Sequence, residues 1–369
     1  MTPIDRRLAE RILADGPIPL AAFMEEALYG DSGYYRRERL PIGIGPEHDF
    51  VTASALSPLF GRCTARLLGR LDVALGGPAA FLEAGPGNGD HLASLTAALR
   101  TAPAAGAGSG ARRIFAWDRV ARPLPPGVER LDTLDDLGSA GLRGLVFSCE
   151  IFDALPVHRL LGRSNGSVGE LYVTLHDEGA FVWQEGELSD PGLAALLGGH
   201  ELEPGQIADL APGWAPLYRR LADALDEGLL VTVDYGYERD RLLDPRARRH
   251  GTLACYRRHR VHRDPFRHVG DQDLTAHVDF TALRQEGEAA GLNTVALLRL
   301  AEWLTRLEIF DDLAAAELET RRQASSLLDP GGIGHDLRVL VQGRAMDDRE
   351  LAAVTGSAVE PFIADPVRP

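Results

Sequence analysis

The stretch Phe81-Leu82-Glu83-Ala84-Gly85-Pro86-Gly87-Asn88-Gly89-Asp90 sets a carboxylate two positions before the first of three alternating glycines. Apolar residues run into it and the helix-competent run His91–Leu99 follows, which predicts strand, glycine turn and helix. In an open α/β sheet such a turn lies outside the carboxyl end of the first strand, where ligands bind. Glycine there lets backbone approach a ligand that a Cβ would hold away. A pyrophosphate fingerprint spaces its glycines G-x-G-x-x-G and leaves the helix N-terminus to the phosphates. The spacing G-x-G-x-G behind Glu83 departs from it on both counts. A carboxylate in that place suits an ammonium. A tight turn without a ligand accounts for the same residues when they are taken alone.

Two more carboxylates end apolar runs. Arg113–Trp117 reads as a second strand closed by Asp118, where an acidic side chain can accept both hydroxyls of a ribose. A surface Asp after a strand is the plain alternative. Gly144–Cys149 is continuously apolar, as for a strand buried on both faces of a parallel sheet, and ends at Glu150 with Asp153 three residues on. A polar residue closing such a strand needs a partner, which marks Glu150 as functional; Asp153 reads equally as the N-cap of a turn.

The elements that must position these groups follow in order. Residues 4–13 and 20–28 have helical spacing, and Tyr29–Tyr35 is turn-rich with three tyrosines. An extended loop over 41–49 leads to Asp49-Phe50-Val51-Thr52-Ala53-Ser54, and Ser57-Pro58 opens a helix as N-cap and first turn. Residues 101–111 are low in complexity and read as a surface linker. A β-hairpin is predicted over 168–184, a helix over 217–226 and a buried strand over 228–236. An irregular Arg/His-rich loop spans 246–268, helices cover 280–290 and 301–328, strands cover 294–298 and 337–342, and 350–369 forms a partly disordered tail. Parallel-type strands alternating with helices, then two late strands, predict an α/β doubly wound sheet with an antiparallel edge.

With 369 residues the chain can carry one large domain with insertions, or two domains, and its net charge of -15 disfavours nucleic acid as a partner. The three cysteines are far apart, which suggests neither disulfides nor a metal site and predicts a reducing, cytoplasmic setting. No apolar run has the length of a membrane span, and the N-terminus reads as neither signal nor transit peptide.

Several of these stretches together resemble one family. They are Gly33-Tyr34-Tyr35, Asp49–Ser54 with Phe60-Gly61, Glu83–Gly89, Glu150–His158, Asp234-Tyr235-Gly236, Gly251-Thr252-Leu253 with Tyr256, and Asp273–Phe280. In this order they resemble the MidA-type methyltransferases, whose mitochondrial members are complex I assembly factors that methylate arginine. Where those members carry T-S-P-E, this chain has Thr52-Ala53-Ser54-Ala55, and their Asn before Glu150 is here Cys149. The resemblance implies a class I Rossmann-like methyltransferase domain over 61–345, with insertions at about 160–216 and 240–280. A helical extension and lid would occupy 1–60, and a tail 346–369.

The resemblance further implies S-adenosylmethionine as cofactor and no metal. Glu83, Gly85, Pro86, Gly87, Gly89, Asp118, Asp132, Thr52 and Ser54 would hold that cofactor. Glu150 and Asp153 would be catalytic, since a carboxylate pair can bind a guanidinium in bidentate bonds and accept its proton. Tyr34, Tyr35, Asp49 and His277 would face the substrate. The acceptor is then an arginine of a partner protein; a small-molecule hydroxyl or amine, a non-catalytic assembly role and a homodimer stay open.

Overall fold

Phe81, Leu82, Leu145, Val146 and Phe147 are buried at consecutive positions, so the strands that carry them are covered on both faces. The computed structural model describes residues 2–101, 111–137 and 141–356; most of the low-complexity stretch and the last thirteen residues lie outside these. The chain forms two compact units interleaved in sequence, residues 1–50, 152–216 and 235–282 in the first and 51–151, 217–234 and 283–369 in the second. Residues 1–50 of the expected extension thus group with 152–216 and 235–282, whereas 51–60 belong to the second unit.

The second unit is built on the doubly wound sheet. Its strands are β1 (Ala80–Ala84), β2 (Ile114–Trp117), β3 (Glu129–Leu131), β4 (Leu142–Cys149), β5 (Leu225–Tyr237, which belongs to this unit as far as Asp234), β6 (Asn293–Arg299) and β7 (Leu337–Arg344). They lie in the order β6-β7-β5-β4-β1-β2-β3. The pairs β1/β2, β2/β3, β1/β4 and β4/β5 are parallel, whereas β6/β7 is the expected antiparallel edge. The chain winds outward from β1 to β3 and then returns to the other side of β1 with β4. The topological switch point, where α/β sheets bind ligands, is thus at the carboxyl ends of β1 and β4.

Three helices matter for that edge: α1 (Ala53–Leu56), α2 (Pro58–Leu75) and α3 (Asp90–Thr101). Ser57 caps α2 by accepting from Leu59 N–H, Pro58 takes the first turn, and Gly76 ends it in the left-handed region at φ 67. Such a cap contributes about 1 kcal/mol.

In the first unit, helices Pro3–Asp15 and Leu20–Tyr29 accompany an antiparallel sheet of 18–19, 168–175, 158–162 and 207–210, with 181–186 paired on 168–175. The expected hairpin is present, within this separate sheet. The Arg/His-rich segment is not an irregular loop. Ala254–Arg257 and Arg260–His262 form a hairpin that Asp273–Thr275 extends to three strands. Its two turn residues, Arg258 and His259, lie at φ 50 and 56, a region that sequence rules reserve for Gly and Asn. Asp49 holds them there, accepting Arg258 N–H on Oδ1 at 2.8 Å and His259 N–H on its carbonyl at 2.9 Å.

Two helix expectations need correction. The 301–328 helix is three pieces, Leu300–Arg306, Ile309–Ala315 and Leu318–Ser325, broken first at Glu308, whose φ of 60 no right-handed helix contains. The helix before β5 runs Trp214–Asp223, ahead of the expected span, because β5 already begins at Leu225. The early part of the expected tail is also ordered: Asp348–Thr355 is helical behind an Asp347/Glu350 capping box.

At the amino ends of the strands, Ala80, Gly144 and Gly228 stand in register across β1, β4 and β5. A Cβ on Gly144 (φ 150) would collide with the Ala80 carbonyl. Gly144→Ala is expected to destabilise the protein by roughly 2–3 kcal/mol. Urea titration checks this; an unshifted midpoint at constant m-value contradicts it.

Candidate functional site

Parallel register brings the sequence-predicted carboxylates of the second unit to one edge. Ala84 stands opposite Trp117 on β2 and Ser148 on β4, and Cys149 stands opposite Val233 on β5. The next residue of each strand is Gly85, Asp118, Glu150 or Asp234. Gly85 N–H donates to Trp117 O at 2.7 Å, Glu150 N–H to Val233 O at 2.8 Å, and Ile151 N–H to Asp234 Oδ2 at 3.1 Å. Asp132, just past β3, is exposed at the same edge.

The glycines divide into two kinds. All three have positive φ, 70 at Gly85, 55 at Gly87 and 79 at Gly89, and Gly89 N–H closes the turn on Pro86 O at 2.8 Å. A Cβ on Gly85 would collide with Ile151 Cγ2, and one on Gly89 would press Pro125 Cδ at 3.1 Å. A Cβ on Gly87 would meet nothing within 4 Å. The first and third glycines thus serve close packing, and Gly87 alone borders open space. Asp118 ties the turn to β2: its carboxylate accepts Gly87 N–H, Val120 N–H at 2.9 Å and Arg122 Nη1 at 3.1 Å. Burial nonetheless raises its carboxyl above the ordinary value.

Glu83 is 2% exposed. Its Oε1 lies 3.0 Å from His91 Nδ1, and its buried Oε2 has no hydrogen-bond partner among the described residues. His91, also 2% exposed, reaches Thr64 Oγ1 with Nε2 at 3.0 Å. An orphaned buried carboxylate oxygen is a group that a cationic ligand would satisfy. Sequence reasoning passed over His91 and Thr64. The available signal was a histidine on the apolar face of the helix that leaves the glycine turn.

Glu150 is held at φ 53, a strained value for a non-glycine residue. Its Oε1 accepts Ala53 N–H at 2.7 Å, so it caps α1, whose own N-cap Thr52 makes no side-chain capping bond. Ser54, one residue on and buried, hydrogen-bonds the Cys149 thiol, which burial pushes well up. The two stretches in which this chain departs from the resembling family, 52–55 and Cys149, therefore meet. Glu150 has a structural partner besides any role toward an acceptor.

The remaining candidates lie in the first unit. Tyr34, expected at the substrate, is fully buried and donates to Asp49 Oδ2 at 3.0 Å, while Arg37 lies 5.0 Å over its ring. Asp49 is buried as well and spends its other oxygen on the 258–259 turn. Tyr35 stacks on Tyr29 and donates to Asp273 Oδ1 at 2.8 Å. Asp153 sits in a turn, with its carbonyl accepting Ala276 N–H at 2.9 Å. His277 is half-buried against the Tyr237 ring at 5.4 Å, and its N–H donates to Thr252 Oγ1. Burial pushes the Asp273 carboxyl up to about 7, against the opposing Tyr35 and Leu274 N–H bonds and with help from Asp49.

Residues 119–298 match the model of a family described as S-adenosyl-L-methionine-dependent methyltransferases. A Drosophila melanogaster relative named "Protein arginine methyltransferase NDUFAF7 homolog, mitochondrial" is 26% identical over 345 residues, covering 78% of this chain and 70% of that protein. The Mus musculus "Protein arginine methyltransferase NDUFAF7, mitochondrial" is 25% identical over 338 residues, covering 80% and 72%. Among solved structures, one from Burkholderia thailandensis bound to S-adenosyl-homocysteine superposes with a TM-score of 0.84 at 29% identity, covering 93% of this chain and 92% of that one. A native structure from the same organism has a TM-score of 0.78 at 28% identity.

The Asp273 shift has a sign that can be checked. A carboxyl whose folded value is about 7 takes up a proton on folding between its unfolded value of about 4 and that folded value. Its contribution to stability is therefore full at low pH and is lost as pH rises from about 4 to 7. Asp273→Asn removes the titration and keeps an acceptor for Tyr35. Its stability relative to wild type is expected to rise across that window by up to about 4 kcal/mol. Denaturant titrations at several pH values test this, and parallel curves for the two proteins contradict it.

Proposed function

The chain belongs to the MidA-type family of S-adenosylmethionine-dependent methyltransferases, and from that premise we propose that it methylates an arginine side chain of a partner protein. The observation that carries the arginine reading is Glu150, a carboxylate held at φ 53 beside the switch point. Strain of this kind costs on the order of 1–3 kcal/mol and persists where the surroundings impose it, often at functional sites. The names of the relatives as protein arginine methyltransferases support the same acceptor.

S-adenosylmethionine, when bound, supplies a methyl group on a sulfonium centre. This chain's residues fit that ligand through the orphaned Glu83 Oε2 and the open face of Gly87. Glu83 takes the ammonium, Gly87 admits the cofactor against the backbone, Asp118 takes the ribose and Asp132 the adenine side. Thr52 and Ser54 border the same edge through α1. Glu150 orients a guanidinium by charge-assisted hydrogen bonds and receives the proton that the nitrogen loses on alkylation.

No helix among the described residues is long and apolar enough to cross a membrane. The three free cysteines are all buried and fit a reducing compartment, and we place the chain in the cytoplasm.

Two variants test the reading. Gly87→Val is expected to keep the overall fold and lose S-adenosylmethionine binding, because its side chain enters the open space and strains the turn at φ 55; equal affinity by calorimetry refutes the assignment. Glu150→Gln is expected to bind the cofactor and to lose turnover by roughly 10²–10⁴ when labelled methyl transfer into protein arginine is followed. Near-wild-type turnover, or label found only in small molecules, sinks the arginine reading. No cofactor binding by the wild-type chain favours a non-catalytic assembly role.

A further inference from the structure

Two hydrogen bonds hold the strained backbone of Glu150, one on each side of its Cα. The N–H of Glu150 donates to Val233 O at 2.8 Å, which fixes the peptide plane entering the residue and with it φ. The N–H of Ile151 donates to Asp234 Oδ2 at 3.1 Å, which fixes the peptide plane leaving it and with it ψ. Both acceptors belong to consecutive, fully buried residues of β5. The first bond continues the parallel ladder beyond the Cys149/Val233 pair and uses only backbone. The second needs a short side chain with an acceptor, and burying a carboxylate there costs free energy that a backbone carbonyl does not.

The glycine turn does not depend on that second bond. Ile151 Cγ2 fills the space that a Cβ on Gly85 would need, but the turn has three ties of its own. They are Gly85 N–H on Trp117 O, Gly87 N–H on Asp118 and Gly89 N–H on Pro86 O. The Glu150 carboxylate is tied to Ala53 N–H, which fixes where the side chain ends and not the backbone from which it starts.

We propose that Asp234 is a positioning residue for methyl transfer. Through the Ile151 amide it holds Glu150 at the dihedral angles that present its carboxylate to the acceptor, and it leaves cofactor binding to the turn. This role rests on the reading of Glu150 as the acceptor-facing carboxylate. Without the bond, the peptide plane after Glu150 can turn and the residue relaxes toward the angles that a non-glycine residue prefers. A displacement of about 1 Å at a reacting group costs on the order of 10²-fold in rate.

Asp234→Ala removes the acceptor, whereas Asp234→Asn keeps one in the same place. Exchange of the Ile151 amide, followed by NMR, is expected to be slow in wild type and Asp234→Asn and roughly tenfold faster in Asp234→Ala. Calorimetry with S-adenosylmethionine is expected to give all three proteins the same affinity. Transfer from tritiated S-adenosylmethionine into arginine of host-lysate protein is expected to fall roughly 10–100-fold in Asp234→Ala and to stay near wild type in Asp234→Asn. Adding Asp234→Ala to Glu150→Gln should slow the enzyme no further, because a residue that acts through Glu150 then has nothing left to position.

Losses that multiply in the double variant, lost cofactor affinity, unchanged Ile151 exchange or wild-type turnover of Asp234→Ala each overturn the role of Asp234 and leave Glu150 in place. If Asp234→Ala does not fold, Asp234→Asn still decides: turnover below about a tenth of wild type overturns the role. Near-wild-type turnover of Glu150→Gln, or no transfer by the wild-type chain, overturns both readings.

Discussion

A buried carboxylate with one unpartnered oxygen is a cost that the rest of the second unit is arranged around. Glu83 can stay in place because β1 is fixed between β2 and β4, and because His91 reaches back to it from the helix that follows the glycine turn. Three phenyl rings enclose that histidine, so the pair sits where electrostatic interactions are strong and water does not compete. The fold accepts the cost at the point where a ligand of opposite charge would remove it.

Close packing fixes the geometry around that carboxylate. Gly85 is glycine because Ile151 presses on it, so the residue after Glu150 and the first residue of the turn are locked together. Asp118 does the same from the other side by accepting Gly87 N–H. The turn is therefore held at its first glycine by β4 and at its second by β2. The open space over Gly87 follows from the parallel sheet as much as from the turn.

Glu150 is tied into the fold through both its side chain and its backbone. Its carboxylate caps α1 while its backbone remains in a conformation that favours glycine. In the first unit, Tyr34 pairs with Asp49, Tyr35 with Asp273, and Asp49 with a strained hairpin tip. Polar groups that look available in sequence are there committed to holding loop 41–50 against the 258–259 turn.

The sequence by itself determined the doubly wound sheet, its antiparallel edge, the helix cap at Ser57 and the acidic residues at the carboxyl ends of β1, β2 and β4. Those features are local: apolar runs, glycine spacing and capping residues depend on neighbours a few positions away. Tertiary structure decided what each acidic residue touches. That Tyr34 is buried on Asp49, that Cys149 meets Ser54, and that His91 rather than solvent faces Glu83 are contacts between residues 8 to 95 positions apart. Likewise Arg258 and His259 carry no turn signature of their own and are kept in a left-handed turn by Asp49, more than two hundred residues earlier. Local patterning says where a strand ends; only the packing of distant segments decides whether the carboxylate there stays bare for a ligand or is satisfied by the protein.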